Sequence, residues 1–260
     1  MDKNNEIEVN EMEEQMWNRF GKKTILYFTG YKDSRVPSME KELKRVGLYD
    51  AERQWQFPSP LDRLLLRKIN HIPCVERGGY FNLSMGHYRA IATAYHLGYE
   101  NVLVIEDDAR FLNDVSELEK IVTSLPDDYD VALFDSLFRS FKENRVNANT
   151  MECWRRDRKV NEFWSEFDQL HSMACYALSR IGMERMMFAF EAVETAPKIG
   201  KMRICDHFLD RNILGKNMKM YFARKNACIQ RRFSSSTSSM DDITSKYISM
   251  GLNLDEYAEA

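Results

Sequence analysis

Three consecutive carboxylates, Glu106, Asp107 and Asp108, follow directly on a short apolar run at residues 102–105. A run of this length between polar residues is typical of a short buried strand, so the acids lie at its carboxyl end. That is the end at which open α/β sheets bind ligands. Because like charges repel, we expect a metal ion or a basic side chain nearby rather than a merely solvated acidic turn. On an extended backbone Glu106 and Asp108 point one way and Asp107 the other, which offers two carboxylates to one hard cation.

One function for such an acidic strand end is phospho-acceptor signalling. The segment at residues 102–108 is similar to the first strand of a response-regulator receiver domain, and residues 129–135 are similar to its acceptor strand. Only 27 residues separate Asp108 from Asp135, which is room for one helix. A receiver domain places a helix, a strand and a second helix in that interval, so the spacing excludes this function.

Strands and helices alternate along the chain around the acidic segment. Apolar runs between polar residues predict strands, and apolar positions at helical spacing predict helices, with Ser84 and Asp114 as N-caps and Gly47 and Gly98 as helix ends. The predicted strands are residues 24–29, 72–75, 102–105, 130–134, 173–178, 218–222 and 227–230, and the predicted helices are residues 37–46, 85–97, 115–124, 180–190 and 205–214. This alternation predicts an α/β fold with a mostly parallel sheet flanked by helices.

The composition indicates that these alternating strands and helices form a single globular domain. Apolar residues make up 44% of the 260 residues, which is enough to form a sizeable core. We expect an acidic polar lead-in at residues 1–21, one domain at residues 22–232, and a serine-rich connection with a polar tail at residues 233–260. Residues 48–70 remain unassigned, and residues 138–165 are predicted to be an irregular basic and aromatic excursion.

Charge and cysteine usage exclude several classes of function. The formal net charge of -3 gives no general attraction to nucleic acid. The five cysteines include no CxxC pair, so reduced thiols in the cytoplasm are expected rather than a zinc site or a disulfide framework. The first 15 residues lack the features of a signal peptide, and no apolar run is long enough to span a bilayer. Basic patches at residues 155–159 and 231–232 leave peripheral contact with the inner face of a membrane open.

The chemistry that best fits the acidic segment is metal-assisted transfer of a sugar from a nucleotide diphosphate. The leaving group gathers negative charge as the glycosidic bond breaks, and Mn²⁺ or Mg²⁺ held by carboxylates neutralises that charge. Acidic pairs of the D-x-D type hold such an ion, and residues 106–108 have this form.

The surrounding segments resemble one family of such enzymes. A first strand is followed by an arginine-bearing turn and a helix that ends in Gly-Leu, and a glycine-rich segment then runs into a histidine-bearing helix before the acidic segment. A tyrosine-bearing strand, an aspartate opening a helix and a strand with glutamine follow, at residues 24–48, 78–90, 104–111, 174–180, 205–209 and 227–230. In this order the chain resembles glycosyltransferase family 25, the lipopolysaccharide and collagen galactosyltransferase type, or a close relative with the GT-A fold.

The resemblance implies a GT-A-like fold, a UDP-sugar donor, inversion at the transferred sugar, and a role for each matching residue. The expected metal ligands are Glu106, Asp108 and His207, with His207 alternatively binding the acceptor. The residues expected to bind or support the donor are Thr29, Arg35, His87 and Asp107. The alternatives are a structural histidine for His87, a surface turn residue for Arg35, and orientation of the loop for Asp107.

The catalytic base implied by the resemblance is Asp206, which would take the proton from the acceptor hydroxyl. Asp206 is otherwise a good helix N-cap, and Asp135 is a further candidate for the acceptor site. The aromatic residues of the 138–165 excursion are suited to stacking on sugar rings.

Together these observations predict a cytoplasmic, metal-dependent hexosyltransferase that uses a UDP-sugar, with UDP-galactose as the candidate donor. Its acceptor would be a surface glycan or glycoconjugate, as in lipopolysaccharide biosynthesis. The alternative is a catalytically inactive relative that binds sugars or nucleotide sugars within a glycan assembly complex. The donor sugar, the acceptor, the linkage and the oligomeric state do not follow from the sequence.

Overall fold

The computed structural model describes residues 16–28, 35–55, 78–135, 158–168, 173–195, 214–230 and 253–257. The strands in these ranges are β1 (Lys22–Tyr27), β2 (Glu52–Trp55), β3 (Asn101–Glu106), β4 (Ala109–Phe111), β5 (Val131–Leu133), β6 (Trp164–Glu166), β7 (Cys175–Ser179), β8 (Met220–Ala223) and β9 (Cys228–Gln230). The helices are α1 (Arg35–Arg45), α2 (Gly78–His96), α3 (Val115–Thr123) and α4 (Arg180–Thr195), and a 3₁₀ helix covers Leu254–Tyr257.

Seven of these strands form one sheet in the order β2-β1-β3-β7-β5-β8-β6. The pairs β1/β2, β1/β3 and β5/β8 are parallel, whereas β7 is antiparallel to both β3 and β5, and β6 is antiparallel to β8. The strands β1, β2, β3, β5 and β8 therefore run in one direction, and β6 and β7 run in the other. This arrangement confirms the predicted α/β fold with a mostly parallel sheet flanked by helices.

The pleat of the central strand β3 divides the core into two layers. Val102 and Val104 pack with α2 and α4 on one face, and Leu103 and Ile105 pack with α1 and α3 on the other. All four are fully buried, as expected for side chains that alternate between the faces of a covered strand. The two helices on the first face, α2 and α4, also pack against each other.

Local sequence signals fix the helix ends as predicted. Gly47 and Gly98 have positive φ angles of 73° and 82°, and the residue after each donates its backbone N–H to a carbonyl five residues earlier. This is the Schellman end, which glycine allows because it has no Cβ. At the start of α3, the Asp114 carboxylate accepts a hydrogen bond from the backbone N–H of Glu117. Ser84, predicted to be an N-cap, instead lies inside α2, which begins at Gly78.

A second, two-stranded sheet pairs β4 with β9, antiparallel, in the register Ala109 to Gln230. Glu42 of α1 contacts β4. Its carboxylate accepts a hydrogen bond from the N–H of Phe111 and forms ion pairs with Arg45 and Arg110. Since Glu42 is buried, these donors offset the cost of removing its charge from water.

The 3₁₀ helix near the carboxyl end of the sequence docks against the same small sheet. The backbone carbonyl of Tyr257 accepts from Arg110 Nε, the Tyr257 hydroxyl donates to the carbonyl of Asn226, and the N–H of Asn113 donates to the carbonyl of Glu256. At the other end of the sequence, Trp17 is fully buried and its indole N–H donates to the carbonyl of Val46. Both ends therefore contribute to the packed structure, and the boundaries at residues 21 and 233 stay predictions.

The elements that the sequence analysis left out are short. β2 lies in the unassigned residues 48–70, β4 follows the acidic turn at once, and β6 lies at the end of the predicted irregular excursion. The predicted strand at 72–75 and most of the predicted helix at 205–214 fall outside the described residues. In the part of the chain that is described, no helix is both long enough and apolar enough to cross a membrane.

The junction between β7 and α4 is closely packed. The Ser179 hydroxyl accepts a hydrogen bond from the N–H of Gly182 and donates to the carboxylate of Asp130, so it caps the first turn of α4. A Cβ added at Gly182 would lie 2.0 Å from the backbone carbonyl oxygen of Asp130. The chain therefore needs glycine at this position for close approach of two backbone segments.

We expect Gly182→Ala to lower the free energy of unfolding by about 1–3 kcal/mol, because the new methyl group forces the two segments apart. In an open helix the same change would raise stability by about 1 kcal/mol, so the sign of the effect is diagnostic. Urea unfolding followed by circular dichroism measures it, with Glu184→Ala at an exposed position of the same helix as the control. A stabilised Gly182→Ala protein would contradict the close approach.

Candidate functional site

Several parallel strands end at the same edge of the main sheet, and polar groups follow them there. The acidic turn at residues 106–108 follows β3, Asp135 follows β5, and Asn226 follows β8. Because β1, β3, β5 and β8 run in one direction, their carboxyl ends bring these groups together, at the position where α/β sheets bind ligands.

Glu106 is the last residue of β3 and belongs to the face that α2 covers, as Val102 and Val104 do. His87 Nε2 lies 3.0 Å from Glu106 Oε1, and Gln230 Nε2 donates to Glu106 Oε2 at 3.3 Å. The other nitrogen of His87, Nδ1, lies 3.0 Å from the hydroxyl oxygen of Tyr176. Both oxygens of the Glu106 carboxylate are therefore hydrogen-bonded to side chains of the protein.

Asp107 belongs to the opposite face and connects the acidic turn to β1 and α1. Its Oδ2 accepts the backbone N–H of Phe28 at 2.9 Å, and its Oδ1 lies 3.4 Å from Nη1 of Arg35. Asp107 is buried, so the Arg35 ion pair and the N–H donor compensate its charge. These contacts match the predicted alternation of Glu106 and Asp107. The chain turns at residues 107–108, so the extended backbone on which Glu106 and Asp108 were predicted to point the same way ends at Glu106.

Asp108 differs from the two acids before it. Its Oδ1 is buried and has no hydrogen-bond partner among the residues that the structure describes, although the residue as a whole is partly exposed. Burial raises the pKa of Asp108 well above its usual range, and the negative charges of Glu106, Asp107 and Asp135 raise it further, while Arg35 lowers it. A buried carboxylate oxygen without a donor is costly, and a bound cation would remove that cost.

Asp135 and two cysteines lie beside Asp108. Asp135 is buried and accepts from Nδ2 of Asn226 at 3.3 Å. The thiols of Cys175 and Cys228 are also buried and hydrogen-bonded to each other, and burial raises the pKa of the Cys228 thiol. The sequence analysis missed this thiol pair and the site contacts of Asn226, because the residues belong to separate strand ends and carry no shared motif.

The structure brings together five of the predicted site residues: Arg35, His87, Glu106, Asp107 and Asp108. The other three, Thr29, Asp206 and His207, lie outside the described residues. His87 contacts the acidic turn through Glu106, whereas Arg35 contacts it through Asp107.

No three histidine, cysteine or acidic side chains of the described ranges are arranged as a complete metal site. Among the described residues Asp108 is the one whose carboxylate could hold a metal here, and further ligands would come from bound ligand oxygens, from Glu106 as predicted, or from residues outside these ranges. Mn²⁺ and Mg²⁺ both favour such mixed sets of carboxylate, phosphate and water oxygens.

The raised pKa of Asp108 predicts a pH-dependent penalty in the cation-free protein. A carboxyl whose pKa is raised by folding stabilises the fold below its ordinary pKa of about 3.9, and this stabilisation is lost as pH rises through the folded value. At neutral pH we therefore expect Asp108→Asn to raise the free energy of unfolding by about 1 kcal/mol, the usual size of a stabilising substitution.

Urea unfolding in EDTA between pH 4 and 8 measures this effect. The gain of the Asp108→Asn protein should shrink toward pH 4. The control Asp127→Asn removes a fully exposed carboxylate that pairs with Arg19, and because exposed ion pairs contribute little, it should lower stability slightly rather than raise it. An Asp108→Asn protein that is less stable than the wild type at neutral pH would contradict the electrostatic description of the turn.

Comparisons with known proteins give only distant likenesses of fold. No protein-family model matches the chain, and no curated protein matches its sequence. The crystal structure of mannose-1-phosphate geranyltransferase from Thermus thermophilus matches with a TM-score of 0.39 at 10% identity, over 78% of this chain and 73% of that one. The apo form of mouse xyloside xylosyltransferase 1 matches with a TM-score of 0.34 at 11% identity, over 77% of this chain and 83% of that one. Likenesses of this size identify no activity.

Proposed function

We propose that this protein is a metal-dependent glycosyltransferase with a GT-A-like fold, which moves a sugar from a UDP-sugar to a glycan acceptor. The observation that carries the proposal is the partner-free, buried Oδ1 of Asp108 among the described residues, at the carboxyl edge of a mostly parallel sheet. The neighbouring acids already have donors of their own, so Asp108 is the carboxylate in this turn that most needs a cation.

In this proposal Asp108 is the principal protein ligand for Mn²⁺ or Mg²⁺. The ion, when bound, supplies positive charge that stabilises the diphosphate leaving group. Glu106 and His207 are the further ligands suggested by the sequence. Glu106 accepts hydrogen bonds on both oxygens, and this favours Asp108 over Glu106 as the direct ligand.

The donor would bind between the ends of β1 and β3. Arg35 presents a guanidinium group there, and Asp107 holds it in place while also accepting the N–H of Phe28. Thr29, which lies outside the described residues, is kept as the nucleotide contact that the sequence resemblance implies. His87 would support the donor site through Glu106, and the charged Arg35 fork is suited to phosphate or ribose oxygens.

The transfer step needs a base, and Asp206 is the proposed one. Asp206 takes the proton from the acceptor hydroxyl as that oxygen forms a bond to the anomeric carbon, and the bond from this carbon to the diphosphate oxygen breaks. Attack from the face opposite the leaving group inverts the configuration of the sugar.

The finer assignments follow the resemblance to glycosyltransferase family 25. They are UDP-galactose as the donor, a surface glycan or glycoconjugate of the lipopolysaccharide type as the acceptor, and action in the cytoplasm, with peripheral contact to the inner face of a membrane. The expected partners are these two substrates, and nucleic acid is not expected among them.

The metal assignment is tested with Asp108→Asn and the matched control Asp127→Asn. We expect Asp108→Asn to lower Mn²⁺-dependent hydrolysis of UDP-galactose by roughly 100-fold and to abolish the Mn²⁺ dependence of UDP binding, since the principal ligand is lost. The control changes an exposed aspartate and should keep both. Unchanged hydrolysis and unchanged metal-dependent UDP binding in Asp108→Asn would overturn the assignment.

The base assignment is tested separately with Asp206→Asn. The amide cannot take a proton, so transfer should fall by about 10²- to 10⁴-fold while UDP binding in the presence of Mn²⁺ stays unchanged. Near-normal turnover would remove Asp206 from this role. Wild-type protein that binds UDP-sugars but neither hydrolyses nor transfers them, across a panel of acceptors, would indicate a binding protein instead.

A further inference from the structure

Side chains from four separate elements form one network around the carboxylate of Glu106. The carboxylate itself belongs to β3, His87 to α2, Tyr176 to β7 and Gln230 to β9. His87 is fully buried and Glu106 nearly so, and the three distances that connect the four side chains are between 3.0 and 3.3 Å. Buried polar groups with this spacing form a hydrogen-bonded network rather than a solvated cluster.

The direction of the two hydrogen bonds to Glu106 is fixed by chemistry. A carboxylate only accepts, so Nε2–H of His87 and Nε2–H of Gln230 donate to Glu106. The other hydrogen bond joins Nδ1 of His87 to the Tyr176 hydroxyl, which donates to a neutral imidazole and accepts from a protonated one. In either state the hydrogen bonds connect Tyr176 through His87 to Glu106.

Glu106, which this network holds, lies two residues before Asp108 in the sequence. Glu106 is held on both oxygens, whereas Oδ1 of Asp108 has no donor among the described residues. If Glu106 were released, its negative charge would be free to move toward Asp108, with which it already interacts unfavourably. Holding Glu106 therefore keeps one carboxylate apart from the other.

We propose that Tyr176, His87 and Gln230 are positioning residues that hold Glu106 as a structural anchor, and that this anchor sets the position of Asp108 for the cation. In this arrangement Glu106 is not a direct ligand and His87 does not contact the donor. The inference deepens the proposed function and rests on it for the metal readout.

Tyr176→Phe is the sharpest test, because it removes one hydroxyl and keeps a buried ring. Its control is Tyr129→Phe, since the Tyr129 hydroxyl is buried and has no hydrogen-bond partner within the described ranges. We expect Tyr176→Phe to weaken Mn²⁺ binding about tenfold by electron paramagnetic resonance, with Tyr129→Phe unchanged. Equal Mn²⁺ affinities in the two variants would overturn the proposal.

The His87 position distinguishes the hydrogen bond from simple packing. His87→Gln can still present an N–H to Glu106, whereas His87→Leu cannot. We expect Mn²⁺ affinity to fall roughly 10- to 100-fold in His87→Leu and to be largely restored in His87→Gln, with the KM for the donor less affected than kcat. If a folded His87→Gln protein lost as much Mn²⁺ affinity as His87→Leu, His87 would have a packing role and the positioning role would be overturned.

A readout without metal separates this proposal from the proposed function. Aspartate labelled with ¹⁵N reports the backbone amides of Asp107 and Asp108 in the cation-free protein. Tyr176→Phe should shift both resonances and Tyr129→Phe should leave them in place. If both resonances stay unmoved in Tyr176→Phe, the positioning role fails. If they move but the wild type binds no Mn²⁺, the proposed function fails while the positioning of the turn stands.

Discussion

Repulsion among the carboxylates at the end of β3 is the constraint around which this edge of the molecule is built. Each of the three acids meets it differently. The charge of Glu106 is stabilised by hydrogen-bond donors from α2 and β9, and that of Asp107 by the backbone N–H of Phe28, next to β1, and the guanidinium of Arg35. For Asp108 the repulsion from the neighbouring acids is not offset, because Oδ1 has no hydrogen-bond donor among the described residues. Burial and these acids raise the pKa of Asp108. An unrelieved electrostatic cost at a strand end is typical of a site whose ligand completes the structure.

The small sheet of β4 and β9 helps to give the three acids their different surroundings. β4 starts immediately after Asp108, so its pairing with β9 fixes the chain that leaves the acidic turn. The same pairing places Gln230 within reach of Glu106. Glu42 connects β4 to α1 through its ion pair with Arg110 and the hydrogen bond from the N–H of Phe111. The acidic turn is thus held on both sides, by the main sheet before it and by the small sheet after it.

The sequence predicted the parts of this structure that depend on local patterns. The apolar run before Glu106 predicted a buried strand, and the period of two predicted that Glu106 and Asp107 would face opposite layers. Gly47, Gly98 and Asp114 predicted helix ends because their chemistry acts within a few residues. The partners of Glu106 were not predictable in this way, since His87 and Gln230 lie 19 and 124 residues from it. Three-residue strands such as β4 show no periodicity, so only their pairing reveals them.

Two of the contacts that hold the acidic turn and β4 come from residues late in the sequence. Gln230 meets Glu106 across 124 residues, and the carbonyl of Tyr257 meets Arg110 across 147. During ribosomal synthesis the three carboxylates are therefore made well before Gln230 and Tyr257. In that interval the acids are in water, where a dielectric constant near 80 reduces their mutual repulsion to about 1 kcal/mol for a pair of charges 4 Å apart. The main sheet is in a similar position, since β3 pairs with β7, which follows it in the chain, so the contacts at this edge are complete only once these later segments have been synthesised.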